Sequence, residues 1–231
     1  ANEKGEVNCS FDTLFSTVFP RLQAEGKYKG KKEEQALEDF YENGKDYFDK
    51  RMENIGKTVV EASLVDKARK VAEGLLTDDF TKDLFKVHEE EECYTHFGIE
   101  WKFEIAPKRS IICKSEIDIL IIDHEHKIIQ PVDLKTTYDN ELFDINYIKN
   151  GYYLQNAFYV KSVQVWAIDN GMQHYEVKPM AFVVGDTSSN NRRPLVYRTT
   201  KRDVDAGMNG FNLRGVHYRG VQELVTDIDW A

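Results

Sequence analysis

Asp118, Asp133 and Lys135 lie within Glu116-Ile-Asp-Ile-Leu-Ile-Ile-Asp-His-Glu-His-Lys-Ile-Ile-Gln-Pro-Val-Asp-Leu-Lys-Thr-Thr. Two carboxylates and an ammonium carried by neighbouring apolar segments suit metal-assisted hydrolysis of a phosphate ester. Hard oxygen ligands select Mg²⁺ or Mn²⁺, which keeps positions open for water and for a phosphate oxygen. Such an ion acidifies its water, and a lysine beside that water offsets the charge building on phosphorus.

The elements that must deliver these groups are legible locally. Residues 117–122 are almost all aliphatic or β-branched and too few for a typical helix, so they read as a buried strand. Asp118 is out of place in it, because a lone buried carboxylate is costly unless a cation or hydrogen-bond donors face it. Asp123 to Lys127 reads as a hairpin turn and Ile128 to Leu134 as the returning strand. Alternation then points Asp133 and Lys135 one way and Val132 and Leu134 the other. The same three charges also fit a strand-borne salt bridge from Asp118 or Asp133 to Lys135.

Downstream, Ile148, Tyr152, Gln155 and Tyr159 fall on one face at helical spacing. A glutamine and two tyrosines in one stripe could hydrogen-bond a phosphate backbone and its attacking water. The bland alternative makes Gln155 a solvent residue and the tyrosines amphipathic core.

Together these pieces resemble the PD-(D/E)XK nuclease superfamily, in its RecB-like branch, and most closely the RecE-type phage-associated exonuclease domain. The resemblance rests on Lys114-Ser-Glu-Ile-Asp118, Val132-Asp-Leu-Lys-Thr-Thr137 and Gly151-Tyr-Tyr-Leu-Gln155-Asn-Ala-Phe-Tyr159, with Gly98-Ile-Glu-Trp-Lys-Phe-Glu104 similar to the family's glutamate strand. It spans roughly residues 57 to 184, and ordered pieces carry more weight than Asp-Leu-Lys alone. It implies that Asp118 and Asp133 hold Mg²⁺ or Mn²⁺ with the Leu134 carbonyl as a further ligand. It also implies that Lys135 positions the water, Glu100 or Glu116 supports metal or water, and Gln155 and Tyr159 hold the scissile strand.

Two departures stand against that pattern. Glu116 occupies a position where the family often has arginine. The metal-binding histidine customary on an early helix is missing, since no histidine precedes His88. Glu34, Glu38, Glu42, Asp46 and Asp49 are acidic substitutes among which sequence does not choose. His88 precedes the acidic run Glu89 to Glu92 and reads as a solvated helix end.

At 231 residues the chain is long enough for one large core. The expectation is a single domain with a helical region at 1–56, a nuclease core at 57–184 and a basic extension at 185–231. Three cysteines, Cys9, Cys93 and Cys113, form no framework or zinc spacing. With no membrane-length apolar run and a charged N-terminus, a cytoplasmic setting is expected, and the resemblance implies a bacterial or phage-infected cell. A net charge of −9 argues against a general nucleic-acid coat. Acid is concentrated in the first half, however, while Arg192, Arg193, Arg198, Lys201, Arg202, Arg214 and Arg219 populate the C-terminal part.

The pattern predicts helices over Phe11 to Leu22 and Lys32 to Met52. A third helix is expected behind a capping box at Ser63 and Asp66, with Leu64, Ala68, Val71, Ala72 and Leu75 on its apolar face. Thr77-Asp-Asp caps a short helix through Phe85. Four strands are expected across 92–135, then the Gln155 helix, then strands at Val163 to Ile168 and Met180 to Val184. Gly185 to Pro194 reads as a loop, Leu195 to Arg198 as a strand and Val216 to Ile228 as a helix. The expected class is α/β, a central mixed sheet of about five strands flanked by helices, with a restriction-endonuclease-like core.

Other chemistry is thin. His124 and His126 lack a third metal ligand, no phosphate-cradling glycine loop occurs, and Cys113 has no nucleophile's setting. The leading expectation is therefore a Mg²⁺-dependent deoxyribonuclease, and the resemblance implies an exonuclease acting on linear double-stranded DNA ends. The resemblance implies 5′ to 3′ polarity, a homo-oligomer, a role in phage-type recombination or repair, and a single-strand annealing protein as partner. The alternatives are an endonuclease of the same superfamily and a non-catalytic DNA mimic or scaffold.

Overall fold

A computed structural model of the protein describes residues 10–57, 60–188 and 192–230. Cys9 lies outside them, and Cys93 and Cys113 are free thiols. The chain divides into two compact units, residues 1–62 and 63–231.

The first unit holds α1 (Phe11–Ala24) and α2 (Glu33–Glu53). Ser10 caps α1 by accepting a hydrogen bond from the Thr13 amide at 3.1 Å. Glu33 and Glu34 open α2, and Lys50 and Arg51 close it, each charge at the end its dipole favours. Phe11 meets the rings of Phe40, Tyr41 and Phe48, and this aromatic contact ties the two helices. On α2, Asp46 pairs with Lys50 and Asp49 with Lys45.

α3 (Ala62–Thr77) opens at the boundary between the units, with Ser63 in its first turn. A 3₁₀ turn follows at Lys82–Phe85, and Asp78 caps the bend by accepting from the Phe80 amide. His88 sits in the turn before β1, not at a helix end. Three long strands then follow where four were expected: β1 (Glu91–Ala106), β2 (Arg109–Asp123) and β3 (Ile128–Thr137). Gly98 does not break β1 but stays in register opposite Glu116.

A short α4 (Phe143–Lys149) leads through Gly151, at φ 72°, into α5 (Tyr152–Asp169). That left-handed junction separates Ile148 from the helix carrying Tyr152, Gln155 and Tyr159. The strand expected at Val163 to Ile168 is the second half of α5. Its β-branched residues misled because α5 packs against the sheet and also against α4, α6 and α7, which removes the polar stripe of an ordinary surface helix. The strands β4 (Glu176–Val177), β5 (Ala181–Asp186) and β6 (Leu195–Arg198) complete the sheet. α6 (Lys201–Asn209) was not foreseen, although Thr200 and Asp203 form its capping box. The helix expected over Val216 to Ile228 divides into β8 (Val216–Tyr218), which pairs with β7 (Phe211–Leu213), and α7 (Val221–Trp230).

The fold is thus mixed α/β. The sheet runs β1-β2-β3-β5-β6, with β4 also beside β3. β1, β2 and β3 are antiparallel neighbours, β3 and β5 are parallel, and β6 returns antiparallel. One face packs Trp101, Ile117, Leu120 and Phe182 against α4 and α5. The other packs Ile119, Val132, Ala181 and Val183 near Leu75, Leu84 and Phe85. α3 contributes little, having no buried residue, and its Leu64 and Leu76 are exposed. No described helix is long and apolar enough to cross a membrane.

Candidate active site

The site forms where two strands part. β2 and β3 pair from Asp123↔Ile128 to Ile119↔Val132, and one step further would set Asp118 opposite Asp133. There the ladder ends, and Asp118 Oδ2 accepts the Leu134 amide at 2.7 Å instead. β3 continues beside β5, with Asp133 opposite Phe182 and Lys135 opposite Val184. The N–H and C=O of a strand residue leave from the same edge, so the Leu134 carbonyl also faces the fork.

Asp118 reaches this place through a change of phase in both strands. Cys93 and Ile119 pack on the α3 side of the sheet, whereas Phe97 and Ile117 pack on the α5 side. Even spacing would put all four on one side. The change occurs at His96 and Asp118, the one step between them at which the β1–β2 register omits a pair. His96 has φ 50°, a left-handed conformation in which histidine is enriched but still uncommon. Without this step Asp118 would share the exposed face of Lys114 and Glu116.

Asp133 is 2% exposed. Its Oδ1 accepts from Gln155 Nε2 at 2.6 Å, which joins α5 to β3. The Lys135 ammonium lies 2.5 Å from Oδ2, a largely buried charge contact. Burial pushes the Asp133 carboxyl up to about 6 against the opposing pull of Lys135, and the Asp118 charge pushes the same way as burial. Burial also raises the Tyr159 phenol; Gln155 opposes that rise, and the charges of Asp133, Lys135 and Asp118 all reach the ring. Asp118, Asp133, Lys135, Gln155 and Tyr159 therefore share one neighbourhood.

Glu100 and Glu116 do not join them. Glu100 points away from α5 and pairs with Lys114 across the ladder at 3.3 Å. Glu116 meets His96 Nδ1 at 3.2 Å and is largely exposed. His124 faces Tyr175 and Glu92, while His126 turns back to Asp123, so the two imidazoles have separate partners. Among the described residues no group of three or more His, Cys, Asp and Glu gathers.

A divalent ion nevertheless suits the fork. Two carboxylates and a carbonyl are hard oxygen donors of the kind Mg²⁺ takes while keeping several waters. The buried Asp133 carboxylate accepts from Gln155 and meets the Lys135 ammonium, and its remaining lone pairs are ones that such a charge would satisfy. Grooves of about 800 Å³ run beside α5 and α6 and beside the β7–β8 hairpin, and neither is lined by Asp118, Asp133 or Lys135.

Sequence reading missed two participants. His96 carries no signal beyond its residue type. Tyr152 appeared as a phosphate contact, but its ring lies 4.9 Å from the Lys135 ammonium. Compared with known proteins, the chain matches no family model and no curated protein.

Proposed function

We propose that residues 63–231 form a metal-dependent deoxyribonuclease, an exonuclease that hydrolyses phosphodiester bonds at the ends of linear double-stranded DNA. The observation that carries this reading is the fork itself: Asp118, Asp133 and Lys135 converge, and Gln155 holds the buried Asp133. A salt bridge alone leaves unexplained a glutamine spent on the buried carboxylate and an aspartate at the end of the neighbouring strand.

In this reading Asp118, Asp133 and the Leu134 carbonyl hold Mg²⁺ or Mn²⁺. When bound, the ion acidifies a water and neutralises charge on the phosphate. Lys135 orients that water and faces the growing negative charge. Gln155 fixes the Asp133 rotamer through Oδ1, and the ion would share Oδ2 with the Lys135 ammonium. The Tyr159 phenol, kept protonated by its raised pKa, donates to a phosphate oxygen of the scissile strand. Polarity from 5′ to 3′, a homo-oligomer and an annealing partner follow from the family resemblance alone.

The absence of a third acidic or histidine ligand among the described residues favours a second reading, a binding scaffold on the same fold. Digestion of end-labelled linear duplex beside a closed circle, with Mg²⁺ or Mn²⁺, decides among these readings. Loss of linear substrate alone, abolished by Asp133→Ala, is expected. Equal cutting of the circle makes the protein an endonuclease, and no cutting of either supports the scaffold.

A further inference from the structure

Lys135 is held from two sides. Its ammonium meets Asp133 Oδ2 at 2.5 Å and lies 4.9 Å from the centre of the Tyr152 ring, with the Phe182 ring 6.0 Å away. A cation within about 6 Å of an aromatic centroid is drawn to the ring face, more strongly where water is excluded. The Lys135 side chain is only 19% exposed, so the contact is largely dry.

The ring is itself clamped. Tyr152 stacks on Phe143 at 5.6 Å and 19° and on Phe182 at 5.9 Å and 30°. Both phenylalanines are fully buried. The Tyr152 hydroxyl has only a weak contact, 3.4 Å from Asn150 Nδ2. Lysine has a long flexible stem, and attraction to a carboxylate alone has little direction. The Tyr152 ring supplies the missing direction, because Asp133 on one side and the ring face on the other leave the ammonium one place to sit.

We propose that Tyr152 is the positioning residue for Lys135, acting through its ring face and not its hydroxyl; the consequence for cleavage rests on the nuclease reading above. The role separates Tyr152 from Gln155 and Tyr159, with which it shares a helix face.

The test has one readout that needs no activity. In the metal-free full chain, the Lys135 ε-methylene resonance, identified by its loss in Lys135→Met, should be shifted upfield by the ring. Tyr152→Phe should keep that shift, and Tyr152→Leu should return it to the range of the other lysines. In Mg²⁺-dependent cleavage of end-labelled duplex, Tyr152→Leu should lower kcat about tenfold, as loss of a cation–π contact of ordinary strength predicts, with little change in KM. Tyr152→Phe should restore the loss. If the leucine variant fails to fold, fluorinated phenylalanines at 152 give the same answer, because kcat should fall with each fluorine as the ring face loses its negative potential. An unshifted Lys135 signal in the wild type, or a rate indifferent to fluorination, overturns the proposal. A shifted signal in a protein that cuts no DNA upholds the positioning and overturns the nuclease reading.

Discussion

Asp133→Asn should make the metal-free protein more stable above pH 6 while abolishing its chemistry. The Asp133 carboxyl rises from 3.8 to about 6 in the fold, chiefly through burial. For an acid raised in this way the sign is the reverse of the usual carboxylate case. Below pH 3.8 both folded and unfolded chains hold the proton, and there is no penalty. As pH climbs through 3.8 the unfolded chain releases its proton while the fold retains it, and stability falls until about pH 6. Above that the loss is constant. A rise of about two units at ~1.4 kcal/mol each means that the ionised carboxylate costs the fold ~3 kcal/mol.

Asparagine has nearly the shape of the protonated acid and can still accept the Gln155 hydrogen bond. The variant should therefore gain ~3 kcal/mol over wild type at pH 8, or roughly 6–12 °C in Tm for a unit of this size. The gain should vanish near pH 3.5. Trp101, Trp166 and Trp230 are the three tryptophans and all belong to residues 63–231, so their fluorescence reports this unit. Unfolding would be followed in EDTA from pH 3.5 to 8 for both proteins. Adding Mg²⁺ should stabilise the wild type by mass action and leave Asp133→Asn unmoved. A variant less stable than wild type at pH 8 in EDTA would refute the reasoning, as would a difference that does not change with pH.

Two further substitutions probe how the scaffold holds the site. At Gly207 a Cβ would sit 2.2 Å from the Tyr153 carbonyl oxygen and 2.8 Å from Ala157 Cβ, so Gly207→Ala should force α6 off α5 and destabilise by about 1–3 kcal/mol or more; an unchanged urea midpoint would show that the helices are not so close. His96 has φ 50°, so His96→Val should cost about 1–2 kcal/mol while His96→Gly is tolerated, and the valine variant alone should lose cleavage as Asp118 turns from the fork; equal stability and rates in the two variants would count against the phase change.

Much of the site was legible before any coordinates. Alternation along Ile128 to Leu134 is a local property of extended backbone, and it correctly set Asp133 and Lys135 on one face and Val132 on the other. The four-residue spacing of Gln155 and Tyr159 is equally local; Gln155 bonds Asp133 from α5, and the Asp133 charge reaches the Tyr159 phenol. The strands at Met180 to Val184 and Leu195 to Arg198 also occur within two residues of their expected bounds. Misreadings arose where burial on several sides erased the polar stripe, as in the second half of α5. Others arose where a short hairpin preceded a helix, as at β8 and α7.

The residue types and their order suggested the chemistry proposed above and determined the strands and helix that carry those residues, because propensity and periodicity act within a few residues. Only the tertiary structure decided which acids share the site. Asp118 enters it through the step at His96, while Glu100 and Glu116 stay with Lys114 and His96 across the β1–β2 ladder. Burial of Asp133, with the rise of its carboxyl to about 6, and the Tyr152 ring beside Lys135 belong to the same level. The reason is physical: desolvation and ring contact depend on what packs across the sheet from residues far along the chain, which no local pattern encodes.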